Sequence, residues 1–130
     1  MNILVLNTST NELELGLYQD LKQISIMNIT TNNQLSEVLH TEIEKFLKKE
    51  SLSLKDIDGI NCFKGPGSFT GLRIGASLVN ALAYSLKIAI VGSIGKDWIK
   101  KGNQRLVDHV NEKMIIPFYG AEVKTTAPIK

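Results

Sequence analysis

The chain contains little of the chemistry that most catalytic sites use. Among its 130 residues there are two histidines, one cysteine and three prolines, and only 6% are aromatic. A single cysteine cannot form an internal disulfide, which fits a reducing compartment. Few aromatic rings argue against stacking on single-stranded nucleic acid. The formal net charge of +2, without a long run of one sign, argues against a strong nucleic-acid-binding surface.

Long hydrophobic runs are also missing. The first ten residues, MNILVLNTST, have no basic region and too short an apolar run for a signal peptide. The longest apolar segment, residues 69–86, carries Arg73 and Asn80, so it predicts a packed helix and no membrane span. We therefore expect a cytoplasmic protein without a membrane partner, long enough for one core.

The order of strand and helix patterns indicates a fold class. In chain order the predicted elements are strands at 3–7, 13–18 and 23–29, a helix at 33–50, a strand at 58–63, a helix at 69–86 and a strand at 88–92. Three strands with short connections predict an antiparallel meander, and two strand–helix–strand crossovers follow it. This βββαβαβ order predicts an α/β fold with a mixed sheet, the ribonuclease-H-like half of an actin-like domain.

The remaining residues predict a smaller unit. We expect residues 1–92 to form the actin-like N-terminal domain, and residues 93–130 to be too few for an independent second core. The first part of this segment predicts one or two short helices, broken at KKGN (100–103). Its last part, from residue 114, predicts a final strand and a polar tail.

A glycine-rich stretch joins the predicted strand 58–63 to the helix 69–86. The loop motif comprises Gly65, Pro66, Gly67, Ser68, Thr70 and Gly71. A phosphate could use free N–H groups at the helix N-terminus. However, no Lys-Ser or Lys-Thr pair follows as in a P-loop, and Pro66 removes one donor. We favour a conformational role, in which the glycines turn the chain and allow close packing while Ser68 caps the helix. The alternative is a phosphate-binding loop of a small nucleotide-binding enzyme or ATPase.

The helix 69–86 has an outward face unlike a solvated surface. At 100° per residue this face holds Phe69, Arg73, Ala76, Ser77, Asn80, Ala81 and Tyr84. It carries one charge and several small side chains, whereas the helix 33–50 is rich in Glu and Lys. Aromatic residues and arginine are typical anchors of interfaces, so we predict that the face binds a partner. The alternative is that the C-terminal residues of the same chain fold over it.

No catalytic constellation is visible elsewhere. His40 and His109 are far apart in sequence and form no metal-binding pair, so we predict no metal and no cofactor. Cys62 lies on a predicted buried strand without a neighbouring base, which indicates a core thiol. Ser9 and Thr10 fit turn chemistry as well as contact with a ligand.

Four segments of the sequence resemble the TsaB (YeaZ) family: ILVLNTST, LSEVLHTEIEKFL, residues 56–92 with the most specific motif, GPGSFTGLRIG, and, faintly, PFYGAEV. The resemblance implies a non-catalytic member of the actin-like superfamily that pairs with a catalytic paralogue, TsaD. With the ATPase TsaE, these proteins install threonylcarbamoyl on an adenosine of tRNA. The resemblance further implies that two helices of the first domain form the interface, both in a homodimer and with TsaD. It implies only indirect contact with tRNA.

The sequence departs from the family pattern in three places. Residues 93–130 stand where the resemblance implies a second domain of substantial size, so we expect them to be a short remnant of a truncated second domain. Asn7 stands where the first strand usually ends in Asp, which removes a carboxylate that could position a cation near a nucleotide. Leu35 precedes Ser36 where the family has a His-Ser pair. We therefore expect a scaffold subunit that binds a TsaD-like partner and has no activity alone. A glycoprotease activity would need a nucleophile–base pair or metal ligands that the sequence does not offer.

Overall fold

A five-stranded sheet with helices on both faces organises the chain. The computed structural model describes residues 1–120. Its strands are β1 (Asn2–Asn7), β2 (Glu12–Gln19), β3 (Lys22–Thr30), β4 (Gly59–Gly65) and β5 (Ala89–Ile94), and its helices are α1 (Leu35–Lys49), α2 (Phe69–Leu86) and α3 (Trp98–Val107). A single 3₁₀ turn, Leu54–Asp56, precedes β4. The predicted βββαβαβ order is confirmed.

The strand order in the sheet is β3-β2-β1-β4-β5. The first three strands form an antiparallel meander, and β1 pairs with β4, and β4 with β5, in parallel. The mixed sheet is therefore as predicted. Its central strand, β1, is fully buried over residues 3–6, as expected of a short apolar run with neighbours on both sides.

Alternation along the strands divides the core between the two faces of the sheet. Leu4, Leu6 and Ile60 point toward α1 and α2 and belong to the larger cluster. Ile3 and Val5 point the other way and form a smaller cluster with residues of β5 and α3. Among the helices of residues 1–120, none combines the length and the hydropathy needed to cross a lipid bilayer.

The predicted helix break at KKGN is wrong, because α3 runs through residues 100–103 without interruption. The side chains of Asn61 and Ser93 lie against Gly102, and a Cβ there would collide with both. Asn103, fully buried, accepts a hydrogen bond from Asn61 at 3.0 Å. Gly102 thus serves close packing, and tertiary contacts offset its low helix propensity.

Residues 111–120, here called the strap, run back across the sheet edge and α2. The Glu112 N–H donates to the Ile90 carbonyl at 2.9 Å, and the Phe118 N–H donates to the Lys64 carbonyl at 2.7 Å. The strap has no helix or strand, so the strand predicted from residue 114 does not form up to residue 120. The rest of that prediction, residues 121–130, lies outside the described part of the chain.

Candidate functional site

The glycine-rich loop turns sharply between β4 and α2. Gly65 has φ = +136°, and a Cβ there would overlap the carbonyl of Phe118. Such a backbone conformation strongly favours glycine. Ser68 is the N-cap of α2: its hydroxyl accepts a hydrogen bond from the Gly71 N–H at 3.2 Å. The capping role predicted for Ser68 is therefore seen in the structure.

The first turn of α2 lies directly against the chain that follows β1. The Thr8 hydroxyl donates to the Gly71 carbonyl at 2.7 Å, and a Cβ on Gly71 would overlap the Thr8 carbonyl oxygen. A Cβ on Gly67 would in the same way collide with Ser9. The other two residues of the motif, Pro66 and Thr70, are exposed. This geometry supports the conformational role for the glycines.

Hydrogen bonds within the chain already use some donors that a phosphate would need. The Ser68 N–H donates to the Ser9 carbonyl at 2.8 Å, while the Gly71 N–H is held by the cap. Asn7 accepts a hydrogen bond from the Ser9 N–H at 2.9 Å, so its side chain completes a local turn. Within residues 1–120 no cluster of three or more metal-ligating side chains occurs. The Ser68 and Gly71 N–H groups are therefore not free to bind a phosphate.

Five of the predicted outward residues of α2 lie on the surface, Ala81 among them. Phe69, Arg73 and Ser77 are exposed, and Tyr84 is almost fully exposed. The Arg73 guanidinium lies 5.1 Å from the centre of the Phe69 ring, a cation–π geometry. Aromatic and arginine side chains are thus available to a partner on this side of the helix.

Ala76 and Asn80 lie on the same side of α2 as Arg73 and Ser77, but the strap of the same chain covers them, so they are not available to a partner. Ala76 is only 4% exposed and belongs to the main core. The Asn80 amide donates to the Ile115 carbonyl at 3.0 Å, and its oxygen accepts from the Ile115 N–H at 2.7 Å. At one end of the strap the Tyr119 ring lies 4.5 Å from Phe69. The strap crosses α2 at this point. For this part of the face the alternative therefore holds, in which C-terminal residues of the same chain fold over it.

An open groove remains between α1 and α2. Its volume is ≈ 570 Å³, and its lining residues are Ser36, Leu39, His40, Thr70, Arg73, Ile74, Ser77 and Leu78. Ile74 and Leu78 of α2 are only partly buried because they lie beside this groove. The helical-spacing argument pointed to α2 alone, whereas the family resemblance implied an interface of two helices. The available signal was the small side chains of Ser36, Thr70 and Ser77, which leave room between the helices.

The other reactive side chains named from the sequence are one buried thiol, Cys62, and two surface histidines, His40 and His109. Burial raises the pKa of the Cys62 thiol to about 12, so the group is protonated and unreactive at neutral pH. His40 lies on the exposed side of α1, with Nε2 3.3 Å from a Glu44 carboxylate oxygen. His109 lies on the surface just beyond α3. The described residues bring none of these groups together.

Comparisons with known proteins relate this geometry to a family. Residues 26–93 match the family model described as TsaD: tRNA N6-adenosine threonylcarbamoyltransferase. The tRNA threonylcarbamoyladenosine biosynthesis protein TsaB of Buchnera aphidicola subsp. Schizaphis graminum is 31% identical over 124 residues, covering 91% of this chain and 59% of that protein. TsaB of Escherichia coli (strain K12) is 26% identical over 120 residues, covering 88% and 52%.

A solved structure supports the same relation. YeaZ from Pseudomonas aeruginosa superposes with a TM-score of 0.65 at 25% sequence identity, over 72% of this chain and 43% of that chain. The chain therefore spans between 43% and 59% of the length of these relatives. Together with the strand order, the likeness confirms the predicted actin-like, ribonuclease-H-like fold.

Proposed function

Because the chain belongs to the TsaD family, as a TsaB (YeaZ)-like member of it, we propose that it is a non-catalytic subunit in tRNA threonylcarbamoyladenosine biosynthesis. In this role it binds and activates a TsaD-like catalytic subunit. A TsaE-like ATPase completes the complex, and contact with tRNA is indirect. The name of the Buchnera relative, a tRNA threonylcarbamoyladenosine biosynthesis protein, supports the pathway.

The groove between α1 and α2 is the observation that carries this proposal. Ser77 and Thr70 are small, so the backbone of a partner helix can come close to α2. Phe69, Arg73 and Tyr84 are exposed on the same helix and provide large anchoring side chains. We propose that a helix pair of the partner packs into this groove, with Arg73 meeting a carboxylate or a helix C-terminus.

The surroundings of Cys62 and of the first turn of α2 support the proposal that this subunit does not itself catalyse a reaction. The Cys62 thiol is buried and protonated, and in the described residues no base lies beside an activated hydroxyl or thiol. The first-turn N–H groups of α2 that the cap and Ser9 occupy are not available to a nucleotide phosphate. Catalysis would therefore belong to the partner.

The test is association with the TsaD-like protein of the same organism. Ser77→Arg places a long charged side chain in the groove, and Ser85→Arg places the same side chain on an exposed position of α2 outside it. We expect Ser77→Arg to weaken association at least tenfold, about 1.4 kcal/mol, and Ser85→Arg to have little effect. Sedimentation of the mixed proteins measures both.

Both variants should keep the unfolding midpoint of the wild type, since neither side chain is in the core. Arginine at Ala76 is unsuitable for this purpose because that residue is buried. Undiminished association of Ser77→Arg with the partner would contradict docking in the groove. Failure of the wild type to associate would contradict the proposed function as a whole.

A further inference from the structure

The strap carries a row of large apolar side chains that face away from the fold. Met114, Ile116 and Phe118 are 62%, 69% and 43% exposed. The residues between them point inward, since Ile115 is buried in the main core and Pro117 lines a cavity against α2. Side chains of an extended chain alternate in this way. Soluble proteins seldom expose several large apolar side chains together, so this outward row predicts an interaction surface.

The strap is a firmly attached part of the fold. The Ile115 side chain is 3% exposed, and the Asn80 amide of α2 forms two hydrogen bonds with its backbone, at 3.0 and 2.7 Å. The Phe118 N–H donates to the Lys64 carbonyl at 2.7 Å. Displacing the strap would expose a core residue and leave these groups without their partners. A protein that approaches the middle of α2 therefore meets the strap first.

α1 and the strap flank α2 on opposite sides. α1 packs beside α2 over β2, whereas the strap follows the β5 side of α2. The cavity between the strap and α2 has a volume of ≈ 270 Å³. It shares two lining residues, Arg73 and Ser77, with the groove between α1 and α2. The two depressions are thus continuous across α2, and the strap forms the second wall of a surface whose first wall is α1.

Three stacked side chains join the strap to the start of α2. The Tyr119 ring of the strap lies 4.5 Å from the Phe69 ring, and the Arg73 guanidinium lies 5.1 Å from the centre of the same ring. Among the described residues that line the cavity, Arg73 is the only charged one. The outward row of the strap is uncharged. The surface that fits it is apolar opposite the row and carries a carboxylate near Arg73.

The length of the outward row suits a helix. Residues 114–118 span at most about 14 Å as an extended chain. This distance corresponds to roughly two and a half turns of an α-helix. An amphipathic helix presents an apolar stripe along its length. The row can therefore cover such a stripe on one helix that lies beside α2.

We propose that the strap is part of the surface that binds the TsaD-like subunit. Its outward row, Met114, Ile116 and Phe118, contacts one helix of the partner's helix pair, while the other helix lies in the groove between α1 and α2. This inference rests on the proposed function, and the occupant is the same partner because the row is continuous with that groove. The strap covers Ala76 and Asn80 and offers apolar side chains of its own instead. A partner that binds here has to match the strap as well as the two helices.

Alkylation of an engineered thiol tests whether the partner covers the row. Ile116→Cys places the thiol in the row, and Leu21→Cys places one in the β2–β3 turn at the opposite edge of the sheet. The replaced side chains are 69% and 44% exposed. The native Cys62 thiol is buried and does not interfere. With the TsaD-like protein of the same organism at about ten times its dissociation constant, we expect alkylation at position 116 to slow about tenfold. Alkylation at position 21 should keep its rate.

A charge substitution provides the matched equilibrium test. Ile116→Lys places an ammonium group where the apolar helix packs, and Leu21→Lys makes a similar change at the opposite edge of the sheet. In sedimentation with the TsaD-like protein, we expect Ile116→Lys to weaken association at least about tenfold. Leu21→Lys and Ile116→Met should associate as the wild type does. All three variants should keep the unfolding midpoint of the wild type, because the replaced side chains are exposed.

Two outcomes would overturn this inference and leave the proposed function intact. The first is unchanged alkylation at position 116 in a complex that forms, and the second is undiminished association of Ile116→Lys while Ser77→Arg associates weakly.

Other occupants of the row would show themselves without the TsaD-like protein. Alkylation at position 116 that slows as the chain alone is concentrated would assign the row to a second copy. A thiol there that is already unreactive in the dilute chain would assign it to another part of the same chain. Either result contradicts the inference. Failure of the wild type to associate with the TsaD-like protein contradicts both this inference and the proposed function.

Discussion

The two edge strands of the sheet, β5 and β3, differ in the hydrogen bonding of their outer backbone groups. Along β5, the Glu112 N–H donates to the Ile90 carbonyl, and the Asn111 side chain accepts from the Ile90 N–H at 3.2 Å. The Gly92 N–H donates to the Glu112 carboxylate, and Arg105 donates to the Gly92 carbonyl at 3.2 Å. Along β3, no such partner occurs within residues 1–120.

The difference shows that side chains and an irregular segment can close a sheet edge without adding a strand. The partners on β5 come from the strap and α3, so they form only after distant parts of the chain have packed. Unpaired backbone groups at an edge attract other strands, and the capped edge is protected from them. Within residues 1–120 the β3 edge has no such protection, whereas the capped edge contributes to the stability of the fold.

Loosening the strap, which covers the β5 edge, should lower the free energy of unfolding more than any other change considered below. Ile115 is 3% exposed and packs in the main core, whereas its neighbour Ile116 is 69% exposed. Ile115→Ala should lower the free energy of unfolding by about 2–4 kcal/mol, because it leaves a cavity. Ile116→Ala should change it by less than about 0.5 kcal/mol. Denaturant unfolding of both variants measures this, and equal losses would show that the strap is not anchored by Ile115.

Replacing Arg105, the cation that joins α3 to the capped edge of β5, should lower the free energy of unfolding by an intermediate amount. Arg105 donates to the Gly92 carbonyl and lies 2.9 Å from a Glu112 carboxylate oxygen. Arg105→Met should cost about 1–2 kcal/mol, since charge-assisted hydrogen bonds are lost at a partly exposed site. Lys101→Met, on the exposed side of the same helix, is the control. Faster hydrogen exchange at the Gly92 amide should accompany the loss, and unchanged exchange there would contradict the capping role.

Removing the Glu112 carboxylate should have the smallest effect on the free energy of unfolding, and this effect should depend on pH. Burial raises the pKa of Glu112, but the Gly92 N–H, the Arg105 side chain and Lys64 outweigh it and hold that pKa below its ordinary value of 4.5. A lowered pKa stabilises the fold above the unfolded value, and the stabilisation is lost as the pH falls through the folded value. The wild type should therefore exceed Glu112→Gln in stability at pH 7 by less than about 1 kcal/mol.

This difference should stay constant down to about pH 5, because both states are ionised there. It should shrink as the pH falls through and below 4.5. Thermal unfolding of the two proteins across this range measures it. A difference that grows on acidification would mean that Glu112 does not hold the edge as a carboxylate.

The elements of the fold could be predicted because their signals are local. A short apolar run marked β1, alternation marked β3, and the helical spacing of apolar residues marked α1. The loop before α2 was predictable for the same reason: Ser68 begins the helix, and glycines allow the turn and the approach to Thr8. Each of these features depends on a few neighbouring residues.

The errors come from contacts between residues distant in sequence. Asn80 is satisfied by Ile115, which helical spacing within residues 69–86 cannot reveal. Gly102 looked like a helix break, because the buried Asn61 that needs its space lies on β4. The groove depends on how α1 sits beside α2 and combines residues of two helices. None of these contacts leaves a periodic signal in the sequence.

The attachment of α2 at several points has an entropic consequence. Its N-terminus is held by Ser9 through the Ser68 N–H and by Thr8 through the Gly71 carbonyl, and its middle is held by the strap through Asn80. The helix is thus ordered before any partner arrives. Association then costs mainly the freedom of a few side chains such as Tyr84 and Arg73, instead of the ordering of a backbone segment. A partner with a rigid helix pair would therefore dock as one preformed surface onto another, with little backbone movement on this side of the contact.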